Sequence, residues 1–366
     1  MRAAVLGGAG GRLAVEELAD PRPQHGEVLI EVAACGVCRT DLHVLHGEVP
    51  FPTPCVLGHE VSGVVLETGA GVVGLEPGTR VVSCFIMPCG SCRHCVRGHE
   101  DLCESFFSHN RLNGTLYDGT SRLSRPDGSS VAMYSMGGLA EMAVAPATSV
   151  FALPEGLDLH RAAILGCSQF TALGAVRNGA ELRPGETVAV VATGGVGLNI
   201  VQMARVFGAS RIIALDMGED RLALARRFGA TDTVDVTATD PVQAVRDLTG
   251  GRGVDVAFEA LGRPETVETA IHLTDDGGRV VLVGIAPVGT TAPMDITRVV
   301  RRKLQIRGSY GGRARTDMPF LLDLAARGLI EVEDTVTREF RLDDADAAYR
   351  ALEQGEIVGR AVVRLR

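Results

Sequence analysis

The sequence predicts an α/β protein in two parts: a barrel-like domain of short strands and a doubly wound parallel sheet. Three observations carry this. Early segments such as Glu27 to Val32, Val61 to Leu66 and Arg80 to Val82 alternate or run β-branched, with Gly, Pro and Asp punctuating them. From about residue 187, short apolar runs alternate with helical patterns, which is the order of a parallel sheet. Between the two lie Cys89, Cys92, Cys95 and Cys103, four cysteines within fifteen residues.

The chain of 366 residues is long enough for two domains with proper cores. A hydrophobic content of 46% and a charged content of 22% are those of a globular protein. A net charge of −9 without a Lys or Arg run disfavours nucleic acid and anionic membrane as partners. No apolar run approaches the roughly 18 residues that span a bilayer. The apolar part of Met1 to Gly8 is too short for a signal sequence, so a cytoplasmic, reducing location is expected. Nine cysteines are many for such a location, and metal binding explains them.

The spacing of the quartet lets four thiolates converge on one tetrahedral zinc at about 2.3 Å. An iron–sulfur centre is the rival ion, and two disulfides or four free thiols are the remaining alternatives. His94 and His99 lie inside the quartet and read as solvated, because four thiolates already complete a shell.

Three further pieces lie apart in the chain: Cys38, His59 with Glu60, and Cys167. Each is weak alone, since a single cysteine is most often a small core residue. Together they offer two thiolates and an imidazole, the ligand set of a catalytic zinc with an open fourth position. Cys35, Cys55 and Cys84 read as buried thiols without a metal role. The segment 104–137 carries turn signals at Asn113-Gly114, Asp118-Gly119 and Asp127-Gly128. It reads either as a functional loop, lining a pocket or a subunit contact, or as an ordered surface hairpin.

In the middle, Thr187 to Ala192 is a buried parallel strand, followed by the turn Thr193 to Gly197. Val196, Ile200, Met203, Ala204 and Phe207 then recur at helical spacing, and Arg211 to Asp216 is a second strand ending on an acid. Strand, glycine turn, helix, strand and acid make a dinucleotide-binding unit. Ala192 stands where the motif has its first glycine, a departure that costs little if an extended φ is kept there. Asp216 lies 19 residues after Gly197 and accepts ribose hydroxyls while repelling a 2′-phosphate, which favours NAD over NADP. Strands at Val254 to Glu259 and Arg279 to Gly284, and helices near 219–228, 240–249 and 264–273, continue the alternation. Helices from Met318 to Ala326 and Asp343 to Gln354 and a strand from Arg360 to Arg364 end the chain.

The order Cys38, His59-Glu60, cysteine quartet, Cys167 and glycine-rich turn resembles the zinc-dependent alcohol dehydrogenases of the medium-chain dehydrogenase/reductase superfamily, from about Val28 to Val363. The resemblance implies a discontinuous GroES-like β-barrel catalytic domain, residues 1–168 and 310–366, and an NAD-binding Rossmann domain, residues 169–309. By the same likeness Cys38, His59 and Cys167 are ligands of the catalytic zinc, and Glu60 is a carboxylate that approaches it during ligand exchange. Cys89, Cys92, Cys95 and Cys103 match the structural zinc lobe, making two zinc ions per chain. Thr40 matches the hydroxyl residue that bonds the substrate oxygen, and His43 the base at the solvent end of the proton relay. Arg39 and Arg360 match pyrophosphate contacts, although Arg360 also reads as an edge-strand charge. Thr171, Gly194, Gly195, Val196, Gly197, Asp216, the ribose-side Arg221 and Gly284 near the nicotinamide complete the cofactor set. By the same likeness Phe85 matches an aromatic position of the substrate pocket, with Phe51 placed near it.

The implied activity is interconversion of an alcohol with its aldehyde or ketone by hydride transfer to or from NAD, with an apolar or aromatic primary alcohol as first substrate. Reduction of a conjugated alkene or imine, thiol-dependent formaldehyde oxidation, and a non-catalytic zinc- and nucleotide-binding sensor are the alternatives. A homodimer or homotetramer is implied as well.

Overall fold

The computed structural model describes all 366 residues, and the chain falls into two compact units. The first holds Met1–Phe170, Gly312–Gly328 and Val332–Arg366; the second holds Thr171–Gly311 and Leu329–Glu331. The divisions lie two residues beyond the boundaries expected at each side of the middle domain. Leu329–Glu331 join the second unit because Gln202 bonds both sides of Glu331, at 2.7 and 3.3 Å, and Arg205 donates to the Leu329 carbonyl at 3.1 Å. No helix is long and apolar enough to cross a membrane.

The first unit is built on the strand Glu27–Gly36, whose run of Val, Leu, Ile and Ala is almost wholly buried. It pairs antiparallel with Val61–Thr68, with Met142–Pro146 and with Arg360–Arg364. Register shifts against Val61–Thr68 bend it enough to serve these several neighbours. Val150–Ala152, Arg80–Ser83 and Val336–Arg341 complete this seven-stranded sheet. Arg360–Arg364 has partners on both sides, so the edge-strand reading of Arg360 is overturned. A second sheet runs Leu13–Glu17, Arg2–Leu6, Cys55–Val56, Ser130–Met133, Leu123–Ser124.

Segment 104–137 is ordered throughout. It forms a π-helical turn, Phe106–Arg111, and the hairpin Leu123–Ser124 with Ser130–Met133. It is more than a surface hairpin: Arg122 is buried and donates to Glu27 Oε2 at 2.8 Å, a forked pair that ties the segment to the central strand. The helix expected from Met318 begins earlier, at Ala314, because the Asp317 carboxylate accepts the Arg313 amide at 2.7 Å and fixes the turn there. The last helix is Ala345–Glu353, preceded by a short 3-10 turn.

The second unit is a six-stranded, all-parallel sheet in the order Asp232–Asp235, Arg211–Asp216, Thr187–Val191, Val254–Glu259, Thr274–Leu282, Gln305–Gly308. That order is the doubly wound dinucleotide-binding one. Strands buried on both faces need helices on each side, and Ala189, Ile213, Leu215, Val245, Ala257, Ile271 and Val280 form the apolar core they share. The strand expected at 279–284 starts earlier and stops at Leu282, leaving Gly284 in the loop beyond it.

Candidate active site

Three separate pieces of the first unit bring the predicted donors together. Cys38 is the N-cap of the helix Arg39–Leu45, at the end of the central strand. His59 and Glu60 precede Val61–Thr68, and Cys167 follows the 3-10 segment Arg161–Gly166. One donor atom from each of Cys38, His59, Glu60 and Cys167 lies within 4.8 Å of the others, and all four residues are buried. Ligand atoms about 2.3 Å from a tetrahedral ion stand about 3.8 Å apart, so the cluster has the dimensions of a zinc site. Its chemistry fits too. Contact with Cys167 and the nearby His59 hold the Cys38 thiol well below its usual range despite burial. The same contact, with burial, pushes Cys167 well above it. Two buried sulfurs in contact, one of them favoured as thiolate, suit a cation.

The carboxylate is provided for as well. A Cβ on Gly36 would fall 2.1 Å from Glu60 Oε2, so only glycine leaves room for that side chain. Glu60 Oε1 is ion-paired with the buried Arg360, whereas Oε2 has no hydrogen-bond partner. Burial pushes the Glu60 carboxyl up to about 7 against the pull of Arg360. Arg360 is therefore an internal counter-charge beside the cluster.

Behind the cluster, Asp41 accepts from His59 Nδ1 at 3.0 Å and from Tyr349 OH at 2.7 Å. With Nδ1 turned to the acid, His59 has Nε2 left for a metal. Burial opposes the imidazolium, but Asp41 and Cys38 hold His59 well above its usual range.

Thr40 Oγ1 lies 3.6 Å from Cys38 Sγ, and His43, on the same short helix, meets Glu48 through Nδ1. Arg39 is exposed beside them. The rings of Phe85 and Tyr134 stand edge-on to His59 at 5.9 and 5.8 Å, and Phe51 packs on Tyr134 at 5.0 Å. The Arg111 guanidinium lies 4.1 Å from the Tyr134 ring centroid and 5.6 Å from that of Phe85. Phe51 and Phe85 thus both belong to one aromatic cluster beside His59.

Cys89, Cys92, Cys95 and Cys103 also lie within 4.8 Å of one another. Backbone amides of Cys89, Cys92 and Phe106 donate to quartet sulfurs at 3.2 to 3.4 Å, which favours thiolates. Neighbouring seryl hydroxyls and amides outweigh burial and bring Cys89 down to about 6. Arg315 docks the lobe onto the helix Ala314–Ala326 by donating to the Cys95 carbonyl at 3.1 Å and pairing with Glu100. His99 is exposed and His94 half-buried, while Cys35, Cys55 and Cys84 are buried.

In the second unit the helix Gly195–Val206 opens the turn after Thr187–Val191, with Gly194 at its N-cap. First-turn amides there have no intrahelical acceptor, so Gly194, Gly195, Val196 and Gly197 form an anion-accepting end. A Cβ on Gly197 would meet the Ala192 carbonyl at 1.9 Å, which makes that glycine obligatory. Ala192 itself has φ +70, so the extended φ at which the substitution would cost little is not kept: the turn retains its left-handed residue even without glycine. Asp216 is buried and accepts the Thr193 amide at 2.6 Å, the Thr193 hydroxyl at 3.0 Å and the Met217 amide at 2.7 Å; Arg221 lies 3.6 Å away. Thr171 is buried near the start of this unit, and a Cβ on Gly284 would strike the Gly262 nitrogen at 2.1 Å.

Asp41, Tyr134, Arg111, Thr193 and Tyr349 were not among the expected site residues. Asp41, three positions after Cys38, carried a usable signal, being a carboxylate available to a metal-ligating imidazole. The others did not.

A buried donor cluster with an orphan carboxylate oxygen, joined in one chain to a dinucleotide-binding sheet, defines a metal-dependent dehydrogenase. Comparison with known proteins is specific. Residues 24–155 match the alcohol dehydrogenase GroES-like domain family and residues 195–327 the zinc-binding dehydrogenase family. An S-(hydroxymethyl)glutathione dehydrogenase of Escherichia coli O1:K1 is 34% identical over 367 residues, covering 99% of each chain. The crystal structure of an alcohol dehydrogenase zinc-binding domain protein from Burkholderia ambifaria superposes with a TM-score of 0.94 at 33% identity, over 100% of this chain and 98% of that one. Benzyl alcohol dehydrogenase from Acinetobacter calcoaceticus gives 0.93 at 30% identity, over 100% and 99%. The chain belongs to the zinc-dependent alcohol dehydrogenases of the medium-chain dehydrogenase/reductase superfamily, and is an oxidoreductase of alcohols and aldehydes that uses zinc and NAD.

Proposed function

We propose that Cys38, His59 and Cys167 hold a catalytic zinc and that the quartet holds a structural one. The single observation that carries this reading is the convergence of three residues, distant in sequence, within 4.8 Å in a buried site beside an unpartnered carboxylate oxygen. Bound there, zinc supplies a Lewis acid for the substrate oxygen. NAD is the hydride acceptor or donor.

The chain's own residues do the rest. Thr40 takes the alcohol proton as it gives up its own hydroxyl proton onward, a role supported by its hydroxyl lying 3.6 Å from Cys38 Sγ. His43 passes it to solvent, and Glu48 orients the ring. Phe85, Tyr134 and Phe51 form an aromatic wall that favours an apolar or aromatic primary alcohol. Glu60, held by Arg360, keeps one oxygen available during ligand exchange. Gly194 to Gly197 hold the pyrophosphate, assisted by Arg39 and Thr171, and Asp216 with Arg221 takes the adenosine ribose. Gly284 lets the loop pass close to the nicotinamide.

Thiol-dependent formaldehyde oxidation is a second reading, favoured by the name carried by the 34% identical relative. A homo-oligomer is supported by the edge strand Gln305–Gly308 and by Ile296 and Val300, 69% and 67% exposed on the adjoining short helix. Nine free cysteines support a cytoplasmic location.

The test is a spectrophotometric screen of alcohols and aldehydes against both nicotinamide cofactors, with and without glutathione. Benzylic alcohols with NAD should give turnover without added thiol. Turnover only with formaldehyde plus glutathione would select the second reading, and turnover of alkenes or imines alone would overturn both.

A further inference from the structure

Asp41 is fully buried, and its one ion-pair partner is His59. Oδ1 accepts from His59 Nδ1 at 3.0 Å and from the Gly58 amide at 3.3 Å. Oδ2 accepts from the Tyr349 hydroxyl at 2.7 Å. Tyr349 is itself buried, on the helix Ala345–Glu353. A second tie joins the same elements, since Glu353 lies 3.3 Å from His46, the C-cap of the helix that carries Thr40, Asp41 and His43.

The consequence is a linear chain of contacts from the C-terminal helix to the donor cluster. A buried carboxylate needs donors on both oxygens. With Tyr349 occupying Oδ2, Oδ1 is held toward Nδ1, which keeps the proton on that nitrogen and turns Nε2 to the two sulfurs. Partners of this kind set ligand orientation and basicity. We propose that Tyr349 is a positioning residue of the metal centre, acting through Asp41 on His59. The proposal rests on the catalytic-zinc reading above.

The experiment compares zinc retention in the holoenzyme with that in Tyr349→Phe, which keeps the ring in the core and removes only the hydroxyl. Competition with a chromogenic chelator, well below the melting temperature, should show two zinc ions in the parent. One of them should be bound about 10-fold more weakly in Tyr349→Phe, and the other should be unchanged. In an Asp41→Asn background the same substitution should add little, because the link is already broken. Cobalt-substituted Tyr349→Phe should show an altered ligand-field spectrum, a readout that loss of packing alone would not move. Equal retention in parent and variant, an equal loss from both sites, or full additivity with Asp41→Asn would overturn the role of Tyr349. A parent that retains a single zinc, still present in Cys38→Ala, would instead overturn the catalytic-zinc reading and this proposal with it.

Discussion

Ala192 occupies φ +70 at the mouth of the nucleotide turn. A left-handed conformation costs an ordinary residue about 1–2 kcal/mol. Glycine removes that cost but adds roughly 0.5–1 kcal/mol of chain entropy. Ala192→Gly should therefore stabilise the protein by about 0.5–1 kcal/mol, and a thermal melt should rise by about 2 °C; a lower melting temperature would show that the alanine is not strained. Asp216 matters differently, because it braces Thr193 and is the residue proposed to take the ribose. Asp216→Ala should weaken NAD by about 10- to 100-fold, the worth of bonds to a charged acceptor, and narrow the preference over NADP. Michaelis constants for both cofactors would reveal it, and an unchanged ratio would remove Asp216 as the discriminator. The residues of the two donor clusters and the acid at the strand end were legible in the sequence, because cysteine spacing and strand-end acids have few other uses. The Tyr349–Asp41 contact was not, for it joins positions 308 residues apart that no periodicity links.

At the scale of elements, the forked pair of Arg122 with Glu27 holds segment 104–137 to the central strand. Both side chains are less than a tenth exposed. Removing one partner of such a pair leaves a buried charge and costs about 3–5 kcal/mol. Arg122→Ala should lower denaturant stability by that amount, whereas a loss below 1 kcal/mol would mean that the segment is held by its apolar contacts. The quartet is a second staple. Cys92→Ala should release one zinc and lower the melting temperature, and an unaltered melt would contradict a structural ion. Strand existence was legible from alternation and β-branched runs, but boundaries were not. The helix at 314 starts where the Asp317 carboxylate closes a turn, a side-chain event that apolar spacing cannot register. Likewise the buried pair of Arg122 with Glu27 joins positions 95 residues apart, which turn signals alone cannot register.

At the scale of the molecule, the chain leaves the first unit at Phe170 and returns at Gly312, so the strand Arg360–Arg364 can lie beside Glu27–Gly36. The split into a barrel-bearing unit and a dinucleotide sheet was legible because the two halves use different periodicities. The free edge at Gln305–Gly308 was not, because an edge strand looks in sequence like any other short strand. If copies pair through the Gln305–Gly308 edge and its apolar helix, Val300→Glu should shift sedimentation toward a monomer. A parent that is already monomeric at micromolar concentration would contradict that surface's role.

The central claim is that Cys38, His59 and Cys167 grip one zinc on which turnover depends. The most direct measurement is zinc per chain in the parent and in Cys38→Ser, taken on the samples used for alcohol-dependent NADH formation. The account predicts two zinc ions falling to one, with turnover lost and the fold retained. Two zinc ions kept by Cys38→Ser, or turnover that survives the loss of one, would contradict it.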